Sequence, residues 1–523
     1  MSASSAPLLL TPLSHDEQRW AKEEHPPCFP AGESAQETAA ASATVASSTF
    51  NLANTILGSG VCAMPFACRE SGIAPFLLLL GAFGYAANLA LQLLVIAAEN
   101  ATRRGQLREL QYAALAKCTA GRRAELAAEW AVIVQQLGCA VAYIVIIADV
   151  LAPIAALGAA DAGSALCSRV MWQAVVALGI ILPLCLLRRL DALRFTSLLA
   201  LCAFVAFVGA VAVNGVRASL DPALRDAWTA GAGVNSTCSS GSGSSSSSGG
   251  SSSASGGGGG APPGSRVRWL PESAGPLISS LPIVCFAFLC HMNVFPIYAE
   301  LKERKERRSP SSENSSGGSG GGGGGAGLSL KRRDMFRVGT LSIAICAAVY
   351  GLSGAFGYLI FLDATEGDLL KNFHVRGTSV SALMDALRVG FGFALIFSYP
   401  VVVWEARHGL ELQIFGHGKA FSRRRHFLLN VGIVGSSLVL GVAVPSVVVP
   451  LGLVGSTCSP LIVFILPAQI FLHMKRNRML EKDPALSPEE LDALERKATA
   501  MLWVGYVLIP LCSATWLLDQ IGS

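Results

Sequence analysis

Apolar residues along this chain come in long unbroken runs. Eleven runs stand out, over residues 45–67, 74–98, 127–150, 169–187, 194–214, 275–298, 337–360, 381–403, 427–447, 450–473 and 499–518. Each is long enough to cross a bilayer core of roughly 30 Å as a helix. Two runs are interrupted by polar residues. The first, FNLANTILGSGVCAMPF (Phe50 to Phe66), carries Gly58-Ser59-Gly60 in its middle and Pro65 after it. Two such glycines cost an ordinary helix about 1 kcal/mol each relative to alanine. Backbone groups freed there cost several more in hydrocarbon unless they meet partners. The sixth run, within GPLISSLPIVCFAFLCHMNVFPIYAEL (275–301), sets Cys290-His291-Met292-Asn293 between Pro282 and Pro296. If runs 1–5 and 6–10 are two copies of a five-helix unit, the breaks occupy corresponding positions. Paired broken helices of that kind build the mid-membrane sites of secondary transporters. The pattern predicts an all-α, polytopic membrane protein of about eleven helices, with helices 1 and 6 broken.

Composition agrees. The chain is 52% hydrophobic and 14% charged, with a mean hydropathy of +0.50, which excludes a soluble domain. Its net charge of +5 does not point to nucleic acid, because the basic residues sit in alternate loops. Arg103, Arg104 and Arg108 follow run 2, Arg188 and Arg189 run 4, Lys302 to Arg308 run 6, Arg423 to Arg425 run 8, and Lys475 to Arg478 run 10. The intervening loops are nearly free of them. Positive-inside bias then puts the N-terminus in the cytoplasm and the C-terminus outside or in a lumen. Plasma, vacuolar and lysosomal membranes all fit.

Residues 1–44 are polar, and Leu8-Leu9-Leu10 is too short for a signal-peptide core, so this stretch reads as a disordered cytoplasmic tail. Gly/Ser tracts mark flexible insertions in an external loop (215–274) and a cytoplasmic loop (299–336). Asn235-Ser236-Thr237, on the translocated side, is a glycosylation acceptor. Of fourteen cysteines, many lie inside apolar runs and make no disulfide framework. Cys167 and Cys238 fall outside, where a bridge is permitted and a free pair is equally open. Ser487-Pro488-Glu489-Glu490 is a capping box that starts a short cytoplasmic helix before the last run.

The breaks define the candidate chemistry. Unpaired amides near Ser59, Gly60 and Val61, at the N-terminus of a half-helix, suit an α-carboxylate. Gly58 and Gly60 let a substrate approach the backbone. Free carbonyls from Phe288 to His291 suit an α-ammonium group, and Cys290, His291 and Asn293 are candidates for reading the side chain. His291 reads either as a functional histidine or as a hydrogen-bonded packing residue. Asp385 and Arg388, one turn apart, favour a local ion pair. Paired intramembrane carboxylates, a Ser-His-Asp set, metal clusters, a filter repeat and a credible Walker motif are not visible in the sequence, so an enzyme, a channel and an ATP-driven pump are set aside.

FNLANTILGSGVCAMPFACRESG resembles the first-helix signature of the amino acid/auxin permease family. The nearest likeness is to its sodium-coupled neutral amino acid transporters, with their FNL-x-N-x-x-x-GSG-x-x-x-x-P core. CHMNVFPIYAEL is similar to that family's FxCHxxxxPIYxEL, and Arg388 through Tyr399-Pro400 to its R-x9-T-V-P phrase. The resemblance covers about 45–518. It implies a LeuT-like 5+5 inverted repeat and secondary active transport of amino acids, neutral ones, driven by Na⁺ or H⁺ through alternating access, with no prosthetic cofactor. It places sodium ligands at Asn54 and at Ser398, where the family has threonine. The serine keeps an oxygen, which hard cations prefer. For Asn54 an interhelical hydrogen bond is the other reading. The implied partners are an amino acid, the coupling cation and the bilayer. An amino-acid sensor using the same pocket is the alternative, and flux separates the two.

Overall fold

The computed structural model describes residues 43–105, 111–156, 168–187, 194–221, 223–225, 267–301, 323–373, 379–416, 422–481 and 483–522. The tail, Asn235, Cys167, Cys238 and most of both Gly/Ser insertions lie outside them. The described residues are helical, with one isolated bridge pairing Ala43 with Leu301.

The first run is α1 (Val45–Ile56) and α2 (Gly60–Ser71). Thr44 and Ser47 form a capping box at the start of α1, and Leu57 leaves it in extended conformation. Next come α3 (Ile73–Arg103), α4 (Tyr112–Ala120), α5 (Arg122–Ala156), α6 (Arg169–Cys185) and α7 (Arg194–Leu220). The sixth run is α8 (Ala274–Ala287), a short 3₁₀ turn at His291–Asn293, and α9 (Val294–Glu300). Then follow α10 (Gly323–Phe361), the one-turn α11 (Leu369–Asn372), α12 (Ser379–Phe415), α13 (Arg423–Ala443), α14 (Val448–Arg476) and α15 (Pro488–Gly522). Among the described residues nine helices are long and apolar enough to cross a membrane. The broken first run and α6 complete the eleven. Large apolar side chains such as Leu78, Leu199, Val439 and Leu518 point outward, a surface that suits lipid and not water.

The structure corrects several boundaries. The expected short helix after Ser487 is not separate: α15 runs without a break from Pro488, and its capping box is formed, with Glu490 N donating to Ser487 Oγ at 3.2 Å and Ser487 N to Glu490 Oε2 at 2.9 Å. The basic loop after run 2 contains α4, whose Tyr112 hydroxyl donates to Ile462 O. α12 extends to Phe415, well past the expected end at 403. α14 is itself interrupted, by Thr457 and a π-helical turn over Leu461–Ile465.

Packing puts the breaks at the centre. α12 lies along α5 and α7, while α10 lies along α1, α2, α3 and α7, and α8 touches α2 and the first half of α14. In hydrocarbon, close approach needs small residues, and α10 supplies them. A Cβ on Gly357 would sit 2.6 Å from Pro65 Cγ, and one on Gly354 would meet the Phe76 ring. At Gly455 in α14 it would fall on the Pro282 carbonyl, which is backbone and cannot swing aside. Overpacking of this kind costs about 1–3 kcal/mol. Gly435 in α13 has open space instead, and alanine there gains about 1 kcal/mol of helix propensity. Gly455→Ala should therefore lower the melting temperature of the detergent-solubilised protein, and Gly435→Ala should hold or raise it. Equal midpoints for the two would remove the tight α8–α14 crossing.

Candidate functional site

Breaking α1 from α2 leaves the amides of Gly58, Ser59 and Gly60 with no backbone carbonyl among the described residues. The first amides of α2 that find one are Val61 N, 3.2 Å from Gly58 O, and Cys62 N, 3.2 Å from Ser59 O. At the other break, Leu289 N turns back to Phe286 O and Asn293 N to Cys290 O.

One helix spans both breaks. Ser342, Cys346, Tyr350 and Ser353 of α10 repeat every three or four residues, so they share a face. Ser342 Oγ donates to Thr49 O (3.0 Å), Cys346 Sγ to Ala53 O (3.6 Å) and Ser353 Oγ to Val61 O (2.9 Å). The last bond follows from sequence: Pro65 has no N–H to give Val61 O, and Ser353 fills the vacancy. Tyr350 Oη lies 2.7 Å from Ile56 O and 3.0 Å from Ala287 O, the terminal carbonyls of α1 and α8. A single hydroxyl thus serves both broken ends.

The breaks face a cavity of about 90 Å³. Its wall takes Asn54, Thr55, Ile56, Gly58, Ser59 and Gly60 from the first break, and Phe286, Leu289, Met292 and Asn293 from the second. α5 adds Gln136, Cys139 and Tyr143, and α12 adds Phe397, Ser398, Val401, Val402 and Glu405. Asn54 and Ser398 therefore share one cavity. Asn54 Oδ1 and Ser59 Oγ are buried there without partners among the described residues. A Cβ on Gly58 would come within 2.7 Å of the Tyr143 hydroxyl, so only glycine leaves that approach clear.

Four residues singled out in the sequence lie behind this wall. Val61 is wholly buried, and its amide is already bonded. Phe288 packs edge-on against Tyr350, with ring centroids 5.7 Å apart. Cys290 is buried. His291 turns to α3, where Nε2 lies 3.3 Å from Ala87 O, the packing reading of that histidine. Arg388 pairs with Asp385 at 3.0 Å. Conversely, Gln136, Tyr143, Tyr350 and Glu405 were not singled out. The available signal was polarity within apolar runs.

Both ends of the bundle around the cavity are tied. At the far end, where α2 finishes, Arg69 Nη1 donates to Thr365 O (2.7 Å), and Asp149 of α5 receives Arg169 (2.8 Å) and Lys371 (3.2 Å). Residues 362–373, including α11, are thereby held across α2 and α5. At the near end, where α1 begins, Arg332 bridges Glu99 and Asp483, while Asn100 Nδ2 donates to Asp483 (2.7 Å) and the Tyr298 hydroxyl to Glu99. Burial raises Asp483, but donors from Arg332 and Asn100 outweigh it and hold the carboxyl below its usual range.

The cavity, the paired breaks and the helix order converge with the comparisons. A sequence profile for the family described as "Transmembrane amino acid transporter protein" matches residues 41–243 and 329–494. The chain belongs to that family. It is 25% identical over 486 residues to sodium-coupled neutral amino acid transporter 4 of Rattus norvegicus, covering 87% of this chain and 82% of that one. The Pongo abelii protein of the same name is 26% identical over 477 residues, with 86% and 80% covered. In fold, the chain is similar to the inward-facing conformation of Mhp1 (TM-score 0.53, 12% identity, 95% and 96% covered). It is also similar to MhsT in complex with L-phenylalanine (TM-score 0.51, 13% identity, 88% and 98% covered). The fold is the LeuT-like one expected from the sequence, and the family is one of transporters, not enzymes.

Two predictions follow from the geometry. Tyr350→Phe removes the one hydroxyl proton that two buried carbonyls share, at about 1–3 kcal/mol in all. Its melting temperature should fall, and hydrogen exchange should quicken at residues 57–60 and 288–293. Unchanged exchange at both breaks would remove the bridge. At the far end, Asp368 has a carboxyl pushed up to about 7, first by burial and then by the charge of Asp149, against the Leu370 amide, Lys371 and Arg388. A carboxyl raised on folding contributes fully below its unfolded value and loses that contribution as pH climbs to the folded one. The protection of residues 365–373 against hydrogen exchange, taken relative to the intrinsic rate at each pH, should therefore fall between about pH 4 and 7, and Asp368→Asn should flatten that profile. A profile that stays as steep in the variant contradicts the assignment.

Proposed function

We propose that the protein carries a neutral amino acid across the membrane together with a cation, by alternating access to the cavity between the broken helices. The observation that carries this is that both breaks face one small cavity, with the bare Gly58–Gly60 amides at the first of them and Asn54 and Ser398 in the same wall. The Gly58–Gly60 amides, at the positive end of the α2 dipole, suit the α-carboxylate. Carbonyls at the end of α8 suit the α-ammonium group. Such contacts recognise what every amino acid shares and leave the side chain to Phe286, Met292, Cys139 and Val402, a mostly apolar surround that supports a neutral substrate.

Asn54 and Ser398 offer oxygens to Na⁺, supplemented by the carbonyls that α1 frees at its break. The name of the mammalian relatives supports that reading. On the charge pattern of the loops, the near end faces the cytoplasm and the far end the outside or a lumen. No feature of the cavity favours the sensor reading over carriage.

Uptake of radiolabelled neutral amino acids into proteoliposomes, with Na⁺ and pH gradients imposed separately, tests the proposal. Asn54→Ala should weaken the dependence on Na⁺ by about tenfold or more while the protein still reaches the membrane, because a buried ligand worth 1.4 kcal/mol is a factor of ten. An unaltered Na⁺ dependence would take Asn54 out of the site.

A further inference from the structure

Glu405 is the one carboxylate in the cavity wall. It stands on α12 two helical turns past Ser398, on the near-end side of the cavity. A neutral amide holds it: Gln136 Nε2 of α5 donates to Oε2, and Asn293, at the start of α9, faces the same cavity. The cavity wall contains no lysine or arginine. The titratable groups that face it from α5 are the Cys139 thiol and the Tyr143 hydroxyl, and α1, α2 and the α8–α9 joint offer only neutral side chains. On its own helix, Arg407 pairs with Glu411 (3.2 Å), which also receives Arg425 of α13 (2.9 Å), and His408 stacks on Trp404.

A carboxylate inside a membrane protein without a counter-cation is costly and marks an ion or proton path. The side-chain oxygens nearest this position are those of Gln136, Asn293 and Glu405 itself, fewer than the roughly six that a hard divalent cation takes, and Cys139, Val401 and Val402 add none. Primary amides suit a proton better. Each has a donor for the ionised carboxylate and an acceptor for the protonated one, so both states are satisfied without moving a helix. Gln136 sits on α5 and Asn293 at the head of the second half of the broken sixth run, so the carboxyl lies where elements that alternating access must move come together.

We infer that Glu405 binds and releases a proton in each transport cycle, so that amino-acid movement is driven by a proton gradient. The inference rests on the carrier reading above and deepens its coupling. The carboxylate takes a proton from the side on which the cavity opens, crosses neutral with the amino acid, and gives the proton up on the other side.

The test uses the full-length protein in liposomes with equal Na⁺ on both sides, so that the imposed proton gradient is the driving force. With one pH unit imposed, acidic outside, the wild type should accumulate a labelled neutral amino acid up to about tenfold, the limit for one proton per substrate. Adding substrate without a gradient should acidify the lumen, read by a trapped pH dye. In Glu405→Gln, accumulation relative to labelled-for-unlabelled exchange should fall to the no-gradient level whatever the overall rate, and the dye signal should vanish. Glu405→Asp should keep both, and it carries the test if the glutamine variant does not fold. Full accumulation and dye signal in Glu405→Gln, with an active wild type, overturn this inference alone. Wild-type uptake of lysine or arginine that the variant loses while keeping its proton drive also overturns it, and makes Glu405 a side-chain contact. A wild type that moves no amino acid under any gradient overturns the carrier reading as well.

Discussion

A peptide N–H or C=O inside a bilayer has no water to turn to, and this chain leaves such groups bare at two places. The hydroxyl of Tyr350 lies between the last carbonyl of α1 and the last carbonyl of α8. With that one group in place, both helices stop where they do and their ends stay side by side. The remaining bare groups, the Gly58–Gly60 amides among them, are then free to face the cavity and not each other. A polar hole is tolerable because the broken run beside it is ordered by α10, whose Ser342, Cys346, Tyr350 and Ser353 follow the chain from Thr49 in α1 across the break to Val61 in α2.

The same face explains how the broken rods are held and can still move. Single hydrogen bonds to backbone carbonyls are worth roughly 0.6 kcal/mol on average in membranes, enough in series to fix a register and individually weak enough to exchange. The stronger ties are at the ends. Asp149, Lys371 and Arg169 fasten the far-end segment, and Glu99, Arg332 and Asp483 form a buried knot at the near end. A carrier must loosen one end while the other stays shut, and the two ends are closed by different chemistry. The far end also holds Asp368, whose carboxyl is raised by burial and by Asp149, whereas at the near end, against the effect of burial, Arg332 and Asn100 hold Asp483 below its usual range.

The two broken runs were legible because glycine, proline and polar residues are so disfavoured in an apolar helix that their placement is informative. The fold followed from those breaks with the run count and the resemblance. What the sequence left obscure is which side of each helix faces the cavity. His291 and Cys290 sit in the polar patch but lie behind the wall: His291 turns toward α3 at the 3₁₀ turn over 291–293, Cys290 is buried, and Asn293 is left forward. Tyr350 looked like one more aromatic in an apolar run, and its role depends on two carbonyls 231 residues apart in the chain (Ile56 and Ala287). Glu405 was hidden by a boundary: hydropathy ended the eighth run at 403, whereas α12 continues to Phe415 and carries the carboxylate inside.

The central claim, that exposed peptide ends and not charged side chains hold the amino acid's own charges, is open to one direct observation. It is an electron cryo-microscopy map of the protein in a lipid nanodisc with a neutral amino acid that it transports. The account predicts the substrate carboxylate within hydrogen-bonding distance of the Gly58–Gly60 amides, and its ammonium group against carbonyls at the end of α8. A helix wound continuously through residues 57–60, or a substrate bound away from both breaks, would contradict it.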